Sequence, residues 1–171
     1  AVYSGPFVTK AREEFSNSQN AHVQKWSAYI VGDVKRQAYL ECAIDWVSGG
    51  AIDNYMSMHR KSDDISELTG HFNKVIDWVS ATFTDVEKEM KGLEWNRLYE
   101  TYANKKYNPD DVSAAVHRLY GDAYVKNRKG VFEYILGGEE DTKLLDVRVF
   151  DDATKRSVYE AQTSEAREKE I

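Results

Sequence analysis

Ile44-Asp45-Trp46-Val47-Ser48 and Ile76-Asp77-Trp78-Val79-Ser80 are the same five letters, IDWVS, written twice 32 residues apart. That spacing is close to the period of several helical repeat families. It admits a solenoid, a duplicated binding element, or two helices meeting one core. Outward from the motif, Leu40 falls opposite Phe72 and Ala43 opposite Val75, so the segments share an apolar face for about two turns. They then part, with Gly49-Gly50 standing against Ala81-Thr82, and no third copy follows. Stacked repeats need about three units to bury a continuous core, which disfavours a solenoid. Ile and Val at i and i+3 put each copy on the apolar side of a helix. Each Trp adds a large surface for burial and one N–H that needs an acceptor. The repeated word reads as two helices facing a shared core.

Helical periodicity extends along most of the chain. Ser4-Gly5-Pro6 opens a helix to about Phe15, with Phe7, Val8, Ala11 and Phe15 on one side. NSQN at 17–20 is a polar break, and AHVQKWSAYI at 21–30 forms a second helix that ends before Gly32. From Val34 the positions Ala38, Tyr39, Cys42, Ala43, Trp46 and Val47 recur at helical spacing until Gly49-Gly50 stops them. AIDNYMSMH at 51–59 follows as a short helix. Ile65, Leu68, Phe72, Val75, Ile76, Val79 and Phe83 mark the strongest amphipathic run. Trp95, Leu98, Tyr99 and Tyr102 share another helix. Asn108-Pro109-Asp110-Asp111 starts the next, whose stripe is Val112, Val116, Leu119 and Tyr120. VFEYILGG at 131–138 is helix or strand, LLDVRVF at 144–150 alternates enough for a brief strand, and a last helix begins near Asp151-Asp152. The expected fold is all-α. It is a single domain over 1–171, an irregular bundle of about seven or eight helices with at most a very short β element near 145–150.

Composition narrows the function classes. A chain of 171 residues buries about 70% of its unfolded surface, enough for a core without metal or disulfide staples. Hydrophobic residues at 42% and charged residues at 30% describe a globular chain rather than a disordered one. The net charge of −6 counts against a dedicated nucleic-acid domain, which draws most of its affinity from phosphate neutralisation. Cys42 is the single cysteine, so no internal disulfide forms, and the chain suits a reducing compartment. No apolar run reaches the roughly 18–20 residues that span a bilayer, and no signal-peptide pattern opens the chain. A cytoplasmic location without a membrane partner is expected. The chain starts at Ala1 without an initiator Met and ends within the helix-favouring YEAQTSEAREKEI, as expected of a piece of a longer protein.

Reactive groups are sparse. His22, His59, His71 and His117 include no i,i+3 or i,i+4 pair, and there is no Cys-x-x-Cys, which leaves no zinc pattern. His71 beside Phe72 reads as a packing or solvated histidine rather than a base. Cys42 reads as a buried thiol on the Tyr39, Ala43 and Trp46 stripe rather than a nucleophile. Neither G-x-x-x-x-G-K nor G-x-G-x-x-G occurs. The acidic pairs Asp63-Asp64, Asp110-Asp111, Glu139-Glu140 and Asp151-Asp152 stand where helix starts or loops are expected, and there a carboxylate favours the positive end of the helix dipole. Two basic clusters flank one helix: Lys105-Lys106 before it, and Lys126, Arg128 and Lys129 after it, with Arg118 on the helix itself. These six residues are the candidate nucleic-acid contacts. The helix length separates the two clusters.

AVYSGPFVTKAREEFS, RQAYLECAIDWVSGG, VIDWVSATF, EMKGLEWNRLYETY, KGVFEYILGGEE and LLDVRVFDDATKRSVYEAQ follow one another in this chain. In that order they resemble bacterial multidomain proteins with an N-terminal ParB-like domain of unknown function (the GmrSD-type group) and a C-terminal HNH endonuclease. The resemblance spans almost the whole chain and is most specific at 89–102 and 147–162. Asn96 departs from it, standing where a small residue such as Gly is expected after Trp95. In such proteins a ParB-like module with a D-G-Q-Q-R-type motif precedes this region, and an HNH module with a Cys-x-x-Cys zinc pair and an Asp-His dipeptide follows it. Neither motif occurs here, so no catalytic residue carries over. The resemblance implies a helical region between the two modules, without a cofactor of its own. Zinc or another divalent metal belongs to the HNH module. The implied partners are the flanking domains, DNA through the parent protein, and further copies in an oligomer. The alternative is a non-enzymatic protein-interaction or oligomerisation domain.

Overall fold

The computed structural model describes residues 3–17, 19–33 and 37–147. Among them the chain forms eight α-helices and no strand, an all-α architecture as the periodicity required. They are α1 (Pro6–Phe15), α2 (Ala21–Trp26), α3 (Ala38–Ser48), α4 (Ile52–His59), α5 (Ser66–Thr82), α6 (Trp95–Tyr102), α7 (Pro109–Tyr120) and α8 (Val131–Leu136). The chain divides into two compact units, Ala1–Ala114 and Ala115–Ile171.

Local chemistry sets most boundaries. Pro6 opens α1 with its φ already helical, and Gly5 rather than Ser4 stands at the cap. Asn20 caps α2 by accepting the His22 amide at 2.8 Å. This helix stops at Trp26 instead of continuing to Ile30. Beyond it the Tyr29 carbonyl leaves the helix to accept the Gly92 amide at 2.8 Å, while Tyr29 and Ile30 are both buried. Gly49 ends α3 in the left-handed region at φ 62°, where a side chain is strained.

In the first unit α3 and α5, which carry the two IDWVS copies, form the most extensive helix pair; α3 also packs on α1 and α4, and α5 on α6. Aromatic rings join these elements. Phe15 stacks on Trp26 at 5.0 Å, and Phe72 of α5 lies 4.8 Å from both Trp26 and Trp46. The indole N–H groups of the two fully buried tryptophans are satisfied. Trp26 donates to Asn73 Oδ1 at 3.0 Å and Trp95 to the Met90 carbonyl at 2.8 Å.

The second unit is smaller. Its buried residues include Leu119, Val131, Phe132, Ile135, Leu136 and Leu145, and Tyr120 meets Phe132 edge-on at 6.4 Å. The ambiguous VFEYIL segment is α8, packed on two 3-10 turns, Arg128–Gly130 and Thr142–Leu145. Leu144 and Leu145, the start of the expected brief strand, therefore lie in a 3-10 turn. Residues 148–150 and the helix expected near Asp151-Asp152 lie outside the described residues.

Candidate functional site

The basic residues of the second unit are gathered by backbone pairing rather than by side-chain pattern. The amides of Lys126 and Asn127 both donate to the Leu145 carbonyl, at 3.1 and 2.9 Å. The Asn127 side-chain amide donates to the Leu144 carbonyl at 3.1 Å. Gly130 completes the junction, because a Cβ there would sit 1.7 Å from the Leu144 oxygen. The 126–130 loop is thus held against the 142–145 turn. Lys143, which the sequence reading did not nominate, lies two residues from Leu145 on that turn. Its amide is capped by Asp141 Oδ1 at 3.2 Å.

The six nominated residues fare differently. Lys126, Arg128 and Lys129 share this edge, all exposed. The Arg128 guanidinium lies 4.6 Å over the Tyr120 ring and donates to the Tyr120 carbonyl at 3.2 Å, so it is largely spent on its own unit. Arg118 pairs with Glu139 at 2.5 Å. Among the described residues Lys126, Lys129 and Lys143 form no ion pair. Lys105 and Lys106 belong to the first unit, where the Lys105 ammonium lies 5.5 Å over the Tyr102 ring.

Cys42, His71 and His59 are each engaged within the first unit, while His22 and His117 are exposed. Burial, and then the charge of Asp45, pushes the Cys42 thiol up from 9.0 to about 12, which suppresses the thiolate a nucleophile needs. His71 Nε2 meets Asn96 Oδ1 at 2.6 Å, and the Asn96 amide donates to the Trp46 carbonyl at 3.4 Å, so one polar chain links α5, α6 and α3. His59 is stacked on Tyr55 at 4.0 Å and lies 5.5 Å from Phe7. Its Nδ1 meets the Tyr55 carbonyl at 2.9 Å, and its Nε2 lies 3.7 Å from Glu67 Oε1. Tyr55 donates to that same Glu67 oxygen at 2.8 Å, and burial followed by this hydrogen bond raises its phenol.

Two of the acidic pairs on described residues, Asp63-Asp64 and Asp110-Asp111, stand at helix starts, whereas Glu139-Glu140 lies in the loop after α8, where Glu139 pairs with Arg118. Asp64 Oδ1 accepts the Ser66 amide at 2.9 Å at the start of α5, and the Ser66 hydroxyl followed by this amide holds its carboxyl below the ordinary value. Asp110 and Asp111 occupy the first turn of α7, where Asn108 Oδ1 accepts both their amides at 2.9 and 3.2 Å. Among the described residues no group of three His, Cys, Asp or Glu side chains is placed to hold a metal ion. A cleft of about 580 Å³ opens between α1, α3 and α4, with Val8, Leu40, Ile44 and Met56 below Arg12 and Asp53. Arg12 Nε donates across it to Gln37 Oε1 at 3.1 Å, and the Tyr3 hydroxyl donates to Asp53. No described helix is long and apolar enough to cross a membrane.

Set against protein-family models, curated proteins and solved structures, the chain matches none of them.

Proposed function

We propose that this chain is a helical spacer and interaction domain of a bacterial protein that targets DNA. The reading places it between a ParB-like module and an HNH endonuclease that carries the divalent metal, in a cytoplasmic system acting on phage or other foreign DNA. The observation that supports this best is how the reactive side chains are used. Cys42 is held as a thiol, His71 is tied through Asn96 to Trp46, and His59 is packed between Phe7 and Tyr55. His71 ties α5 through α6 to α3, His59 on α4 meets Phe7 of α1 and Glu67 of α5, and the Cys42 thiol is held protonated. A first unit pinned by Phe15, Trp26, Trp46 and Phe72 suits a part that holds two modules apart.

The test is incubation of supercoiled plasmid with the purified 171-residue chain in Mg²⁺, Mn²⁺ or Zn²⁺. The expected result is intact plasmid, and metal-dependent nicking that follows the chain through purification contradicts the reading. A second reading, a non-enzymatic partner-binding or oligomerisation domain, draws on the exposed Val31 and Met58 of the first unit. Light scattering after size exclusion separates the two. A mass that rises with concentration favours oligomerisation, and a constant monomer favours the spacer.

A further inference from the structure

We propose that the edge of the second unit carrying Lys126, Lys129 and Lys143 contacts the phosphate backbone of nucleic acid. This goes beyond the spacer reading, because it gives the chain a binding surface of its own. The junction of the 126–130 loop with the 142–145 turn fixes the backbone beneath these lysines. Two amides and one side chain on the carbonyls of Leu144 and Leu145, with Gly130 in close approach, hold it. The three cations are exposed and form no ion pair among the described residues. Asp141, the acid closest in sequence to Lys143, directs a carboxylate oxygen at the backbone amide of Lys143.

The type of cation selects the ligand. A lone phosphate on a peptide is gripped by the planar fork of arginine, and the Arg128 fork here is engaged with Tyr120. Flexible lysines act as point charges and suit a dense polyanion. Duplex DNA supplies one, with about one charge per 1.7 Å of axis. Of the acids in the same unit, Glu139 is paired with Arg118 and Asp141 faces the Lys143 amide, while the exposed Asp146, next to Leu145, stays beside the edge; acids beyond about 8 Å are screened at physiological salt. Lysine–phosphate contacts carry no base information, so binding is independent of sequence.

The experiment measures binding of the 171-residue chain to fluorescent mixed-sequence duplex DNA as salt is raised. Three phosphate contacts weaken binding on the order of 40-fold between 50 and 200 mM salt. The variant Lys126→Ala, Lys129→Ala, Lys143→Ala is expected to bind weakly at 50 mM with little further salt response, and with an unchanged melting temperature. Lys105→Ala with Lys106→Ala is expected to bind as the parent does. Absence of binding by the parent chain at 50 mM overturns the proposal. So does retention of the salt response by the triple variant, or an equal loss in the Lys105, Lys106 variant. Tighter binding to phosphatidylserine vesicles than to DNA of equal charge overturns it too, pointing instead to a membrane surface. A chain that binds DNA without nicking it satisfies both proposals, whereas failure to bind leaves the nicking test standing by itself.

Discussion

The two IDWVS copies share every letter, yet α3 and α5 use them differently. Ile44 and Ile76 are both buried, at 3% and 0% exposure, and Asp45 and Asp77 are both exposed. Each serine returns a hydrogen bond to the aspartate carbonyl three residues back, Ser48 at 3.4 Å and Ser80 at 3.1 Å. The tryptophans then diverge. Trp46 is buried against Phe72, while Trp78 is half-buried and meets Tyr99 edge-on at 5.6 Å. Val79 is fully buried and Val47 only half-buried. The partners differ: α3 packs on α1, α4 and α5, whereas α5 packs on α3 and α6 and centres its stripe on Ile76 and Val79. A repeated word therefore fixes helical phase but not environment. Two copies in unlike surroundings are parts of one core, not two equivalent binding elements.

The sharpest break between the copies lies at the indoles. Trp46→Ala leaves a large cavity beside Phe72 and is expected to lower unfolding stability by about 3–5 kcal/mol. Trp78→Ala removes a half-wet ring, with an expected loss of about 1–2 kcal/mol. Urea titration of both variants checks the ratio, and equal losses refute the distinction.

Cys42, one turn before Trp46, sharpens the same contrast in rate. With its thiol pushed up to about 12, reaction with an alkylating reagent at pH 8 is expected to run roughly 10³-fold slower than for an ordinary thiol. Rapid alkylation of the native chain would count against a packed α3. The folded thiol and the Tyr55 phenol both hold their protons more tightly than the unfolded chain does. Their contribution is fully present below about pH 9 and is lost as pH rises from there towards 12. The melting temperature is expected to fall over that interval, and less steeply in Cys42→Ala.

Asn96 joins the copies through the Trp46 carbonyl and His71. Asn96→Ala is expected to cost about 1–2 kcal/mol by leaving both groups short of a partner, measured by thermal unfolding. At the other extreme, Ser48→Ala and Ser80→Ala are expected to change stability by under about 0.5 kcal/mol each, because both hydroxyls bond locally at the surface of a helix.

Much of the helical layout was legible because it is written locally. Pro6, Gly49-Gly50 and Asn108-Pro109 mark boundaries in one dimension, and the stripe from Leu68 to Phe83 follows a single period. Features that depend on distant partners were not. The early end of α2 follows from the Tyr29 carbonyl meeting Gly92, over sixty residues on. Asn96 read only as a departure from a family pattern, yet it is the link between His71 and Trp46. The basic loop at 126–129 was visible as a charge run, but Lys143 was not, because its place beside that loop rests on backbone bonds to Leu144 and Leu145.

A double-mutant cycle between Trp46 and Phe72 tests most directly whether the repeated word is a packing device within one core. Trp46→Ala, Phe72→Ala and the double variant, unfolded in urea, are expected to show a coupling of about 1 kcal/mol between the two rings. Losses that add to within about 0.3 kcal/mol would mean that the first copy is not read against the helix carrying the second, and would contradict the account.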